Sequence, residues 1–373
     1  MLGIPVDNVD MDQALTRIMG MVDQHQFDAR KRLVATANVD FIINAHDHAE
    51  QERGRELLSI LRKADMVTAD GMPLVWLSKL MGQPLQERVT GADMVPALAE
   101  RAAAEGKSIY LFGGIDGSAK ETARILVERY PDLKIAGYSN PFINLDDKIE
   151  NKIEIARINI TDPDILLIAL GNPKQEIWFD RYKKYLKVPV SIGIGGTFEF
   201  ISGVTSRAPL WMQRSGLEWI YRMSQDPARL VNRYIKGLYR FNRMILPLLT
   251  LGPLVNWLRN RKTTVGEGSM PIPYKAIPEV IAYHLEQIEG IQAKAREMDD
   301  AVVLELDFSQ IPALKTEDIS QLMSILLVAM QSDRGIVLTG LNWVSRQLIK
   351  AYRIDDLVSL VAQPEDHATE RSN

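Results

Sequence analysis

Ile165-Leu-Leu-Ile-Ala169, running through Leu170 into Gly171-Asn172-Pro173-Lys174-Gln175-Glu176, sets an apolar β-rich run against a polar turn led by glycine. Runs of the same character recur at Leu33–Ala37, Met66–Ala69, Ser108–Phe112, Lys134–Tyr138 and Val188–Ile192. Stretches with helical periodicity, such as Asp93–Ala104 and Ser118–Arg129, lie between them. Strands that alternate with helices predict βαβ units, and so an α/β fold on a doubly wound, mostly parallel sheet.

The chain has 373 residues, 46% of them apolar and 25% charged, which is enough material for two globular domains. It contains no cysteine, which excludes disulfides, thiolate metal sites and a cysteine nucleophile and fits a reducing compartment. The first residues, MLGIPVDNVDMDQAL, carry Asp7, Asp10 and Asp12 and no basic region, so they do not read as a signal peptide. The longest apolar run, Met244–Leu258, is interrupted by Pro247, Gly252, Pro253 and Asn256. It is too short and too broken to cross ~30 Å of hydrocarbon. A cytoplasmic protein is expected.

Composition divides the chain into an α/β core over 1–195, a basic helical appendage over 196–262 and a linker over 263–275 rich in Gly, Pro and small polar residues. A small α/β module over 276–363 and a tail over 364–373 follow. Within the module, helices are expected at Ile277–Ala293, Thr316–Met330 and Val344–Tyr352, and strands at Val302–Phe308 and Ile336–Thr339.

In the appendage, Arg222, Arg229, Arg233, Lys236, Arg240 and Arg243 recur at spacings of 7, 4, 3, 4 and 3. At about 100° per residue they share one stripe of a single helix. Leu230, Val231, Tyr234, Leu238, Phe241 and Ile245 fall on the other side. Residues 222–262 hold nine Lys/Arg and one acid, whereas the whole chain is −4. Cations gathered in this way on an acidic protein suggest docking to a polyanion, with a bilayer surface or pyrophosphate foremost.

Ligands of open parallel sheets bind beyond the carboxyl ends of the strands. Thr36 and Asn38 end the first run, Asp70-Gly71 the second and Gly113-Gly114 the third. Gly171, Lys174, Gln175 and Glu176 follow the fifth, and Gly193, Gly195, Gly196 and Thr197 the sixth. Small residues there allow backbone N–H groups to approach a phosphate-bearing ligand. Taken singly, each has an ordinary reading: Gly-Gly as a turn, and Thr36, Asn38 and Asp70 as helix caps. His46 and His48 read as solvated, without metal-site spacing. The full G-x-G-x-x-G fingerprint of a nicotinamide enzyme is absent, as is a D-x-D pair for a divalent cation. No metal, cofactor or nucleic-acid partner is expected.

Together the segments resemble the WecG/TagA/CpsF family, glycosyltransferase family 26, over roughly residues 1–245. The matching pieces are Thr36-Ala-Asn38, Ala69-Asp70-Gly71-Met-Pro-Leu-Val, Arg88-Val-Thr90-Gly91-Ala-Asp93 and Leu111-Phe112-Gly113-Gly114. They continue with Gly171-Asn-Pro-Lys-Gln175-Glu176, Gly193-Ile-Gly-Gly-Thr-Phe198 with Gly203 and Arg207-Ala-Pro209, and Gly216-Leu-Glu218-Trp219. The resemblance implies inverting, metal-independent transfer of an N-acetylmannosamine-type sugar from a UDP-sugar donor to polyprenyl-pyrophosphate-linked N-acetylglucosamine. It implies Asp70 as general base, Thr36 and Asn38 orienting substrate hydroxyls, and Arg88 and Gln175 stabilising the departing diphosphate. The glycines at 71, 113–114, 171 and 193–196, with Lys174 and Glu176, would accommodate the donor. Arg207 and the basic stripe would hold the acceptor pyrophosphate and an anionic membrane, so peripheral attachment to the inner membrane face is expected.

Beyond the resemblance, Val302-Val-Leu-Glu-Leu-Asp307-Phe-Ser309 through Ile319 and Gly335-Ile-Val-Leu-Thr-Gly340 resemble the second half of a STAS domain. Lys315-Thr316-Glu317-Asp318 stands where such domains carry Asp-Ser and Ser-Gly, so a docking or self-association module is expected ahead of a phospho-switch. The alternative is a non-catalytic sugar-nucleotide sensor that signals through this module. A sensor would not need Asp70, Thr36 and Gln175 together.

Overall fold

The computed structural model describes residues 1–46, 51–115, 117–261, 279–288, 291–298, 301–311, 313–331, 335–355 and 357–360. The chain forms two compact units, 4–241 and 242–373, the latter grouped with residues 1–3.

The larger unit begins with α1 (Met11–Asp28), β1 (Arg32–Ala37), α2 (Val39–Ala45), α3 (Gln51–Lys63), β2 (Met66–Ala69) and α4 (Met72–Leu80). It continues through α5 (Gly91–Glu105), β3 (Ser108–Gly113), α6 (Ser118–Arg129), β4 (Lys134–Ser139), α7 (Lys148–Ile160), β5 (Ile165–Ala169), α8 (Lys174–Tyr182) and β6 (Val190–Gly193). The last helices are α9 (Thr197–Ile201), α10 (Leu210–Arg214), α11 (Glu218–Gln225) and α12 (Pro227–Arg261), which runs on past residue 241.

Six parallel strands pair in the order β2-β1-β6-β5-β3-β4. Every residue of β1, β2, β5 and β6 is buried, because helices cover both faces of a parallel sheet. Successive side chains therefore alternate between two cores. Ile165 and Leu167 join Ile18, Leu98 and Phe198 on one side, while Leu166 and Ile168 join Phe112 and Trp178 on the other. The Trp178 indole donates to Asn151 Oδ1 at 2.7 Å, so this buried polar ring is satisfied. The register sets Ala37 opposite Ala69, Ala35 opposite Gly193 and Gly113 opposite Ala169. The turns after the strands thus emerge along one edge of the sheet.

All six expected strands form. The sixth begins at Val190 rather than Val188, because Pro189 has no N–H to give to a ladder. The appendage is not one helix. Its first segment, α9, puts Phe198 wholly into the core, so the expected division at 195/196 falls inside the larger unit. The third break comes at Asp226, whose backbone is extended (φ −138°, ψ 70°) ahead of Pro227, as the residue before proline is pushed to be. Arg222 therefore belongs to α11, apart from the other five cations on α12. By contrast, α12 continues through Pro247 and Pro253, where the sequence reads as interrupted. His46 is half-buried, with Nδ1 2.9 Å from the Ile42 carbonyl, rather than solvated; His48 lies outside the described residues.

In the smaller unit, α13 (Glu279–Glu286), β7 (Gln292–Met298), β8 (Ala301–Asp307), α14 (Thr316–Gln331), β9 (Gly335–Thr339), α15 (Trp343–Ala351) and β10 (Ser359–Leu360) follow one another. The sheet order is β10-β9-β8-β7, with β7 antiparallel to β8 and the other pairs parallel. The helix expected over 277–293 ends at Glu286, ahead of Gly290, and its last residues open β7. The expected linker at 263–275 and tail at 364–373 lie outside the described residues.

Candidate active site

Asp70 stands one residue past β2, its N–H bonded to the Ala37 carbonyl at 2.7 Å. Capping does not occupy it. Gly71 is the N-cap of α4, at φ 145°, and no side chain caps that helix. The carboxylate receives a long bond from the Gly91 N–H (3.5 Å). Burial pushes its pKa up to about 6. Arg222 draws the value down, Glu218 raises it, and Gly91 and Arg88 draw it down again. A carboxylate of this kind is poised to accept a proton near neutral pH.

Three arginines gather beside it. Arg88 bonds Glu218 at 3.3 Å and Asp93 at 3.4 Å. Arg207 bonds the other oxygen of Asp93 at 2.6 Å, and Arg222 bonds Glu218 at 2.8 Å with its guanidinium 4.6 Å from the Phe200 ring centroid. Burial opposes ionisation of Asp93, but the bonds from Arg207 and Thr90 outweigh it and hold its carboxyl below the usual range. Three guanidinium groups against the two carboxylates that pair with them leave one positive charge to offset an ionised Asp70, and their N–H groups suit an anionic ligand. Among the described residues, the buried atoms Arg207 Nε and Glu199 Oε2 have no hydrogen-bond partner.

Gly91 links this cluster to a second one. A Cβ at residue 91 would come within 3.0 Å of Thr197 Oγ1 and 3.2 Å of the Ile194 carbonyl. Behind that turn, Thr36 Oγ1 donates to the Gly193 carbonyl at 2.8 Å. The Gly195 N–H donates to Gln175 Oε1 at 3.1 Å. Gln175 in turn donates to Glu176 at 2.6 Å, and Asn172 donates to the other oxygen of Glu176 at 3.0 Å. A Cβ at Gly193 would lie 2.6 Å from Gln175 Nε2 and 2.9 Å from Glu176 Oε1, so a side chain there would displace that pair. Glu176 is fully buried and its pKa is raised to about 7 by that burial, with Gln175 and Asn172 drawing it down.

Thr36 and Gln175 are thus buried with their polar atoms committed to the β6 turn. They hold its shape; the structure does not present them to a substrate. Asn38 caps α2, its side-chain oxygen accepting from Asp40 and Phe41. Gly113 and Gly114 lie where the third strand meets the α9 turn, and Glu199 Oε1 accepts from the Ile115 N–H there at 2.9 Å. Gly171 has φ 75°, and Lys174 at the start of α8 sits 5.3 Å from the Phe142 ring centroid, its pKa lowered by burial. Gly195 and Gly196 form the turn between β6 and α9.

On α12 the residues sort into three sectors. Leu230, Phe241 and Ile245 are buried, and the Tyr234 ring packs tilted against Trp219, centroids 5.8 Å apart. Lys236, Arg240 and Arg243 are exposed, and Arg233 pairs with Asp40 of α2. Between these sectors Ile235, Leu238 and Tyr239 are exposed, although Leu238 was expected on the packed side. The side chain of Arg229 lies outside the described residues.

The carboxylates Asp93 and Glu218, which orient the arginines, were given no role from sequence. Asp93 had a visible signal as the third residue after the N-cap Thr90. Glu218 had its i,i+4 spacing to Arg222, but its second partner, Arg88, is 130 residues away and gave no signal. Among the described residues no group of three His, Asp or Glu side chains gathers to hold a metal ion, and no helix is long and apolar enough to cross a membrane.

Residues 1–250 match the glycosyl transferase WecG/TagA/CpsF family. Similar curated proteins include the N-acetylglucosaminyldiphosphoundecaprenol N-acetyl-beta-D-mannosaminyltransferase of Bacillus spizizenii, 31% identical over 60% of this chain and 84% of that protein. The protein of the same name from Bacillus subtilis is 32% identical over 58% of this chain and 80% of its own length. The Staphylococcus aureus protein is 27% identical over 61% and 85%.

Proposed function

This chain belongs to the glycosyl transferase WecG/TagA/CpsF family, and on that premise we propose that it moves an N-acetylmannosamine-type sugar from a UDP donor to N-acetylglucosamine carried on polyprenyl pyrophosphate. The names of the relatives support the acceptor and the sugar. The observation that carries the reading is Asp70, uncapped and with a raised pKa, set against Arg88, Arg207 and Arg222.

Asp70 takes the proton from the acceptor hydroxyl as that oxygen attacks the anomeric carbon. The bond from that carbon to the UDP oxygen breaks in the same displacement, so the anomeric centre inverts. The arginines stabilise the diphosphate charge of the substrates by direct hydrogen bonds. The β6 turn, held by Thr36 and Gln175, and the glycines at 113–114 form the nucleotide end of the site. The exposed apolar sector of α12, flanked by Lys236, Arg240 and Arg243, has the make-up of a helix lying in a bilayer interface. It supports peripheral attachment to the inner membrane face, where a polyprenyl substrate resides. The C-terminal sheet, with a β7–β8 hairpin and parallel β9 and β10, is compatible with a STAS-like module used for docking or self-association.

The test is UDP release from UDP-N-acetylmannosamine with a synthetic polyprenyl-pyrophosphate-N-acetylglucosamine acceptor. Parent protein turns over only with acceptor present. Asp70→Asn loses nearly all turnover while keeping UDP-sugar binding, and a fully active variant removes Asp70 from the mechanism.

A further inference from the structure

We propose that exposed apolar side chains on α4 and α10 form a track for the first isoprene units of the acceptor's lipid chain. The proposal rests on the polyprenyl-pyrophosphate acceptor assigned above. Trp76 and Leu80 on α4 are 47% and 62% exposed, and Leu210 and Trp211 on α10 are 67% and 64% exposed. Large apolar side chains left in water on segments next to a polar site mark a surface with an apolar ligand.

Their position relative to the site identifies that ligand. Helix α4 starts two residues after Asp70, and α10 starts three residues after Arg207. Gly216, two residues past the end of α10 and at φ 69°, packs against α4: a Cβ there would come within 2.5 Å of the Trp76 ring and 2.8 Å of Met72. Two residues further on, Glu218 pairs with both Arg88 and Arg222. Asp70, the arginines and the exposed Trp and Leu side chains are therefore carried on adjoining segments. A lipid-linked sugar carries three matching groups joined covalently: hydroxyl, diphosphate and isoprenoid. A chain covalently bound to a diphosphate held at the arginines must leave across a surface that adjoins them, and this surface does. A bilayer acyl chain carries no such constraint, so the acceptor's own isoprenoid is the occupant.

Leu80 and Trp211 are the residues to change, since Trp76 also packs against Gly216. Transfer is measured in solution, without vesicles, to N-acetylglucosamine diphosphate bearing either a farnesyl or an ethyl ester. With parent enzyme the farnesyl acceptor has the lower KM. The double variant Leu80→Ala, Trp211→Ala raises KM for the farnesyl acceptor about tenfold, through lost apolar contact. Its kcat, its KM for the ethyl acceptor and its UDP affinity stay as in the parent. Equal KM values for the two acceptors with parent enzyme overturn the track, as does a variant that alters both KM values alike or neither. A variant that loses vesicle binding but keeps the farnesyl KM assigns the surface to the bilayer instead. Should the parent transfer to neither acceptor, the assigned reaction itself fails; transfer to both with no farnesyl preference spares the reaction and removes only the track.

Discussion

Replacing Asp70 by Asn keeps the side-chain shape and removes the ionised state that burial opposes. In the folded protein the Asp70 pKa is raised from 3.8 to about 6. Below the unfolded value both states hold the proton, and the carboxyl makes no difference to stability. As pH rises from 3.8 to about 6, the unfolded chain gives up its proton first, so folding becomes progressively less favourable; above about 6 the penalty is constant. A shift of about two units at 1.36 kcal/mol each is a penalty of about 3 kcal/mol at pH 7.5. The attraction of Arg222 and Arg88 for the carboxylate is already contained in that value. Asp70→Asn, with nothing to ionise, is expected to be more stable than the parent by up to about 3 kcal/mol at pH 7.5 and by much less at pH 4. Urea denaturation at a series of pH values, followed by tryptophan fluorescence, reads this difference. A variant no more stable than the parent at pH 7.5, or an advantage that does not shrink toward pH 4, refutes the reasoning that the site holds a desolvated carboxylate.

Two further outcomes follow from the same geometry. In the parent, kcat/KM for transfer should rise with pH through an apparent pKa near 6, as the base loses its proton. Arg222→Ala should move that inflection upward, because the cation that draws the Asp70 value down is gone; a downward or absent shift in the pH–rate profile contradicts the pairing. On α12, Lys236→Ala with Arg243→Ala should weaken binding to anionic vesicles by ~2 kcal/mol, roughly thirtyfold, at ~1 kcal/mol per cation near the surface. Flotation assays that show no change, or no salt dependence in the parent, remove the electrostatic part of the docking.

The sheet was readable because its strands are continuous apolar runs that end in glycine or small polar residues, a pattern produced by burial on both faces. The carboxyl-edge location of Asp70 followed from that alone. What was hidden is of two kinds. The spacing of Arg222 from Arg229 keeps helical phase across the Asp226–Pro227 break, so periodicity joined two helices that the backbone separates. Proline at 227 was the visible warning, and Pro247, which the helix passes through, shows why such warnings are not decisive. Thr36 and Gln175 were hidden differently. Their places at the carboxyl edge of the sheet are as read, but whether a side chain turns into the protein or out to a ligand depends on partners such as Gly193 and Gly195, distant in sequence. The hairpin strand β7 was masked by a preceding helix whose apolar spacing carried on into it.

The bend at Asp226–Pro227 has one more implication. It places the guanidinium of Arg222, tied to Glu218, on α11 and the cations at 236 and 240 on the separate helix α12. On the proposed function, substitutions along α12 can retune adhesion, adding or losing charge to match a different lipid composition, while the Arg222–Glu218 pair on α11 is left unchanged. Grip and turnover can therefore be adjusted independently within one continuous stretch of chain.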